Sequence, residues 1–215
     1  MEKIIFSLEA VSSILVECYR TIKNIETGGV LVGPRKFKRI VTDIIPSSIY
    51  AERQTATYYQ SEKDVKILNL KLRQFQLNGY DFKGYFHKHP SGMFQLSHGD
   101  RRTCADIIQS PNYHINNFLI MCIITESHVQ DFPLFSYAVS LSNTNNILVH
   151  KTDIHVLPRT CIKESFEPLK EGVSHESNSS KQHIKRTKKE TTSNVIRVTG
   201  KRNSDSKLPK IDKRA

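Results

Sequence analysis

No CxxC pair occurs among the four cysteines, Cys18, Cys104, Cys122 and Cys161, so neither a disulfide framework nor a thiolate zinc site is indicated. The first three sit in apolar patterns, where a free thiol behaves as a small buried hydrophobe. No stretch approaches the roughly 18 uncharged apolar residues that a membrane helix requires. The start, Met1-Glu2-Lys3-Ile4-Ile5-Phe6, lacks the apolar run of a secretory signal. A cytoplasmic protein with no membrane segment is therefore expected. Internal repeats are absent as well. The net charge is +11, but residues 159–215 hold fifteen Lys and Arg against seven Asp and Glu and supply +8 of it. The basic character belongs to that stretch and says little about the rest of the chain.

What is present is enough sequence, 215 residues, for one domain with a sizeable core. Residues 1–7 read as a short strand ending at a helix N-cap, Ser7. The apolar residues Leu8, Val11, Ile14, Leu15, Cys18, Tyr19 and Ile22 then recur at three and four, one face of an amphipathic helix. Thr27 to Pro34 reads as a strand bounded by glycine and proline, and Lys38 to Pro46 as its antiparallel partner. Residues 47–60 form a polar connection with one strand around Thr57 to Tyr59. A second helix, capped by Ser61 with Asp64, buries Val65, Leu68, Leu72 and Phe75 and stops at Gly79. Tyr80 to His89 is extended. A third helix opens near Ser97, with Cys104, Ile107 and Ile108 on one side. Phe118–Thr125, Phe135–Leu141 and an edge-like Ile147–Val156 complete the strands. Interleaved helices and strands of this kind predict a mixed α/β fold with helices packed on a sheet. From about Thr160 the apolar pattern fades, and 161–215 reads as a basic, disordered tail after a domain of 1–160.

The chemistry concentrates in His87-Lys88-His89-Pro90-Ser91-Gly92-Met93-Phe94-Gln95-Leu96-Ser97-His98-Gly99-Asp100. Two histidines one residue apart on a strand project from the same face, since side chains alternate with period two. Pro90-Ser91-Gly92 turns the chain just after them. From the following helix start Asp100 can point back and complete a three-ligand set. Two imidazoles and a carboxylate, with a fourth position left to water, commonly hold catalytic zinc. Ser97, three residues before Asp100, fits a helix-capping pattern equally well. Lys88 should point away from the metal, and His98 reads as solvated. His114, His128, His150 and His155 have no metal spacing and read as structural.

His-x-His, seven residues, then Ser-x-x-Asp resembles the JAMM motif of the MPN (JAB-domain) metalloprotease family. Upstream, Glu26-Thr27-Gly28-Gly29-Val30-Leu31-Val32-Gly33 is similar to the family's Glu-x-Gly-Gly-x-Leu-x-Gly. The resemblance covers about residues 1–158 and implies an MPN/JAB-like fold, a curved and mostly antiparallel sheet with helices packed on it. It implies one Zn2+ per chain on His87, His89 and Asp100. It implies Glu26 as general base and acid, and Ser97 as a hydrogen-bond donor to the tetrahedral oxyanion. Gly28 and Gly29 can admit a substrate backbone, although strand packing explains them as well.

By the same resemblance the substrate is a ubiquitin-like protein or its conjugates, cut at the amide bond after the modifier's C-terminus. The modifier's tail would pair with an exposed strand, for which 47–60 is the candidate. Pro-Ser-Gly after the ligand pair is more similar to bacterial and archaeal members, often standalone enzymes of conjugation systems that include anti-phage operons. Activating and conjugating enzymes of the same operon are then the expected partners. Alternatives within the family are a DNA-repair-associated branch and a non-catalytic scaffold, but no helix-hairpin-helix precedes the domain and no ligand is lost. The densest basic run, His183 to Lys189, can bind polyanions weakly. It has no interleaved aromatic for base stacking.

Overall fold

The structure is a computed structural model, and it describes residues 3–55, 57–111, 113, 115, 117–125 and 133–164. Within these the chain runs β1 (Lys3–Ser7), α1 (Leu8–Arg20), β2 (Gly28–Pro34), β3 (Ile40–Val41), β4 (Asp43–Pro46), β5 (Glu52–Gln54) and β6 (Thr57–Tyr59). It continues through α2 (Glu62–Leu77), β7 (Tyr80–His89), α3 (His98–Gln109), β8 (Leu119–Thr125), β9 (Leu134–Leu141), β10 (Ile147–Leu157) and α4 (Arg159–Glu164). Eight strands form one mixed sheet in the order β3-β1-β10-β9-β8-β7-β2-β4, and β5 and β6 form a separate hairpin. Five of the strand pairs are antiparallel; β1–β10, β1–β3 and β7–β8 are parallel. The fold is mixed α/β, as expected.

Both faces of the sheet are covered. In β8, Leu119, Met121 and Ile123 join the apolar cluster under α2 and α3, while Ile120, Cys122 and Ile124 join the one under α1. A strand buried on two sides is apolar at every position, which is why 118–125 reads as an unbroken run. In β7 the register against β2 slips between Leu31 and Val32, which pair with Gly84 and Phe82, leaving Lys83 as the extra residue of a bulge. Gly84, at φ +149°, passes the β8 backbone so closely that a Cβ would lie 1.7 Å from the Ile120 carbonyl oxygen. The bulge resets the alternation: Phe82 and Tyr85, three residues apart, both face α2 and α3, and Phe86 faces α1. His87 and His89 follow the parity of Tyr85, and Lys88 that of Phe86.

Ser7, Ser61 and Ser97 cap the three long helices as anticipated. Five expectations change. On α1 the stripe against the sheet is Ala10, Ile14 and Cys18, while Leu8, Tyr19 and Ile22 are exposed. The helix docks through the i, i+4, i+8 row, and Ile22 lies beyond its end. The expected 38–46 strand bends at Thr42, so that β3 pairs in parallel with β1 and only β4 pairs with β2. The 47–60 connection is a two-stranded hairpin. β10 lies inside the sheet order, joining β9 through residues 147–152 and β1 through 153–157. After it α4 continues to Glu164 with Ile162 buried, four residues beyond the expected end of the domain. The basic stretch from 165 onward, His114 and His128 lie outside the described residues. His150 and His155 are exposed on β10, and Cys18, Cys104 and Cys122 are buried free thiols. Among the described residues no helix is long and apolar enough to cross a membrane.

Candidate metal centre

β7 delivers His87 and His89 to one end of the sheet, their ring centroids 4.4 Å apart. After the turn, α3 begins with a reciprocal cap. Asp100 N–H donates to Ser97 Oγ at 3.1 Å, and Ser97 N–H donates to Asp100 Oδ2 at 2.6 Å. The cap fixes the carboxylate so that Oδ1 lies 3.3 Å from His87 Nε2 and Oδ2 3.4 Å from His89 Nε2. One donor atom from each of His87, His89 and Asp100 lies within 4.8 Å of the others, so this buried group can hold a metal ion. The helix-capping role and the ligand role of the motif are therefore the same geometry.

The donors suit a divalent cation. His87 Nε2 is buried and has no hydrogen-bond partner, because its approach to Asp100 lacks hydrogen-bond geometry. Burial pushes the His87 pKa down to about 4, with Asp100 opposing and His89 reinforcing the shift. The imidazole is neutral at pH 7, and its contact with Asp100 is not an ion pair. His89 Nδ1 lies 2.9 Å from the Met93 carbonyl oxygen, which can only accept, so this nitrogen carries the hydrogen and Nε2 faces the cluster. Burial alone would lower the His89 pKa, but Asp100 and the Met93 carbonyl outweigh it and raise it. Burial also opposes the charge on Asp100. Hydrogen bonds and charges from His89, His87 and Ser97 prevail and hold its carboxyl at about 2.

These directions set the proton count of metal binding. At pH 6 His89 is mostly protonated and His87 is not, so loading should release close to one proton per ion, from His89, and affinity should fall as the solution is acidified below the raised His89 pKa. Calorimetry in buffers of different ionisation enthalpy measures this number. No release would mean that His89 is already neutral in the free protein.

Glu26 enters the same site from the segment that leads into β2. Gly28 pairs with His87, and Lys88 N–H donates to the Thr27 carbonyl at 2.7 Å, so the antiparallel register brings Glu26 alongside His89. Its own N–H donates to the Gln54 carbonyl at 3.0 Å. Glu26 is 8% exposed, and burial raises its carboxyl pKa, with His89 opposing and Asp100 adding to the shift. Glu26, the three donors and Ser97 line one cavity of about 340 Å³, closed on one side by Tyr58 of the β5–β6 hairpin. A Cβ on Gly28 would lie 2.5 Å from the Phe86 carbonyl oxygen and 2.9 Å from His87 Cβ. Strand packing accounts for this glycine.

All five residues singled out in the sequence are thus brought together. His98 is exposed and outside the cavity lining. Two contributors were not anticipated, the Met93 carbonyl and the buried Lys88, while Tyr58 falls within the 47–60 segment singled out in the sequence. Of the two only Lys88 left a sequence signal, a charge on the strand face opposite two ligands.

No family model and no curated protein matches this sequence. Among solved structures the fold is similar to that of protein DSY2949 from Desulfitobacterium hafniense, in solution. The likeness covers 72% of this chain and 93% of that one, with a TM-score of 0.52 and 18% identity. It is a likeness of fold.

Proposed function

We propose that this chain is a zinc metallopeptidase of the MPN (JAB-domain) type, carrying a JAMM motif, that hydrolyses the amide or isopeptide bond after the C-terminus of a ubiquitin-like modifier. The observation that carries the reading is the convergence of Glu26, from far upstream in sequence, with His87, His89, Asp100 and Ser97 in one cleft. A carboxylate with a structural role alone would have no reason to be buried beside His89 and a second carboxylate, Asp100.

Zinc held by the three donors would supply Lewis acidity, enough to bring the pKa of a water to about 7. Glu26, its pKa raised by burial, takes a proton from the attacking water and hands it to the departing amine. Ser97 Oγ accepts from Asp100 N–H and keeps its own hydrogen to donate to the oxyanion. Thr57 to Gln60 wall the cleft beside the metal donors, where an extended modifier tail can run. A bacterial-type, cytoplasmic enzyme of a conjugation system, including one in anti-phage defence, is the setting that the motif resemblance suggests.

Zinc-loaded full-length protein, incubated with ubiquitin-like modifiers fused linearly or through a lysine to a reporter, should release the free modifier on a gel. Loaded protein that leaves every such fusion intact would contradict the proposal.

A further inference from the structure

Lys88 stands between the two histidines, yet it is only 1% exposed and its side chain lies on the opposite face of β7. Burying an ammonium is costly unless its donors are met. Here they are. Lys88 Nζ lies 3.1 Å from the Ile22 carbonyl oxygen, 3.2 Å from that of Thr21 and 3.4 Å from that of Cys18. These carbonyls belong to the last turn of α1 and the residues after it, where the helix dipole presents its negative end and carbonyl lone pairs are left for a cationic donor.

The segment so held, 21–26, leads to Glu26. It is not regular structure: Asn24 sits at φ +61°, in the left-handed region. The Ile22 carbonyl that receives Lys88 also accepts from Ile25 N–H at 3.0 Å, and Ile25 immediately precedes Glu26. One side chain therefore ties the strand bearing both imidazoles to the link bearing the carboxyl, from the face of β7 opposite the imidazoles.

We infer that Lys88 is a positioning residue that fixes Glu26 relative to His87 and His89. The inference rests on the hydrolase reading of the site. A displacement of about 1 Å in a reacting group can cost on the order of a hundredfold in rate. Loosening this tether should therefore lower kcat and leave metal binding intact.

The test compares full-length wild type with Lys88→Met, and with Lys88→Gln, which keeps amide donors and guards against a methionine variant that does not fold. Hydrogen exchange read by mass spectrometry should speed up at residues 21–27, with β7 and β8 unchanged. Zinc content should stay at that of wild type, and the visible spectrum of the cobalt-substituted protein should not move. On a cleaved fusion, kcat should fall roughly ten- to a hundredfold with KM nearly constant, and Lys88→Gln should recover part of the loss. Unchanged exchange at 21–27, unchanged kcat, or a loss that tracks departing metal would each overturn the inference. If wild type cleaves no fusion, the hydrolase reading fails, and the exchange result alone decides whether the tether exists.

Discussion

Replacing Glu26 with glutamine is expected to lower turnover by about 10²–10⁴-fold, the usual contribution of a general acid–base group, while zinc content stays at the wild-type level. Glutamine keeps the shape of the side chain and can fill the same space beside His89. It cannot carry a proton between water and the leaving amine. Glu26 is outside the group whose donor atoms converge within 4.8 Å, so ligation should survive. Metal analysis and steady-state kinetics on one preparation check both halves. A Glu26→Gln protein that turns over at the wild-type rate would remove Glu26 from the mechanism, and one that loses its zinc would make it a ligand.

Removing both imidazoles should have the opposite signature. His87→Ala with His89→Ala deletes the two nitrogen donors and leaves Asp100 alone, so the purified protein should fall from about one zinc per chain to almost none. Wild type should be stabilised by zinc through mass action, by about 2.7 kcal/mol at a hundredfold excess over Kd. The double variant should gain nothing from the same addition. Thermal melts with and without zinc read the difference. His87 Nε2 makes no hydrogen bond that the fold would miss, whereas His89 gives up its Nδ1–H bond to the Met93 carbonyl, so the zinc-free melts of the two proteins read any loss of folding separately from the loss of binding. Full retention of zinc by the double variant would mean that the ligands are misassigned.

How much of this was legible in the sequence follows from how local each signal is. Serine caps act over three residues, and Ser7, Ser61 and Ser97 marked their helices correctly. The doubly buried β8 showed itself as an apolar run for the same reason. The donor set was legible because a strand's period of two and a capped helix start are short-range geometry. What failed was set by tertiary contacts. Thr42 sends its N–H to Val32 and turns one apolar segment into two strands with different partners. The face of α1 that docks is fixed by Ile14 and Cys18, with small Ala10 completing the row in place of Leu8 and Tyr19. Lys88 was rightly expected to point away from the two imidazoles. Its burial depended on where the end of α1 would come to rest, which no local pattern records.

The site's pairing also explains why the upstream acid can be so far away in sequence. Gly28 against His87 is the last rung of the β2–β7 ladder, and the same register, carried on by the Lys88 N–H to Thr27 carbonyl bond, brings Glu26 beside His89. A one-residue slip would turn Glu26 to the other face. The close approach at Gly28, where any Cβ would press on Phe86 and His87, disfavours a side chain at that rung.

X-ray absorption at the zinc edge of the loaded full-length protein tests the central claim most directly. The account predicts a four-coordinate shell with two imidazole nitrogens at about 2.0–2.1 Å and oxygen in the remaining places. A shell without imidazole scattering, or one with sulfur at about 2.3 Å, would contradict it.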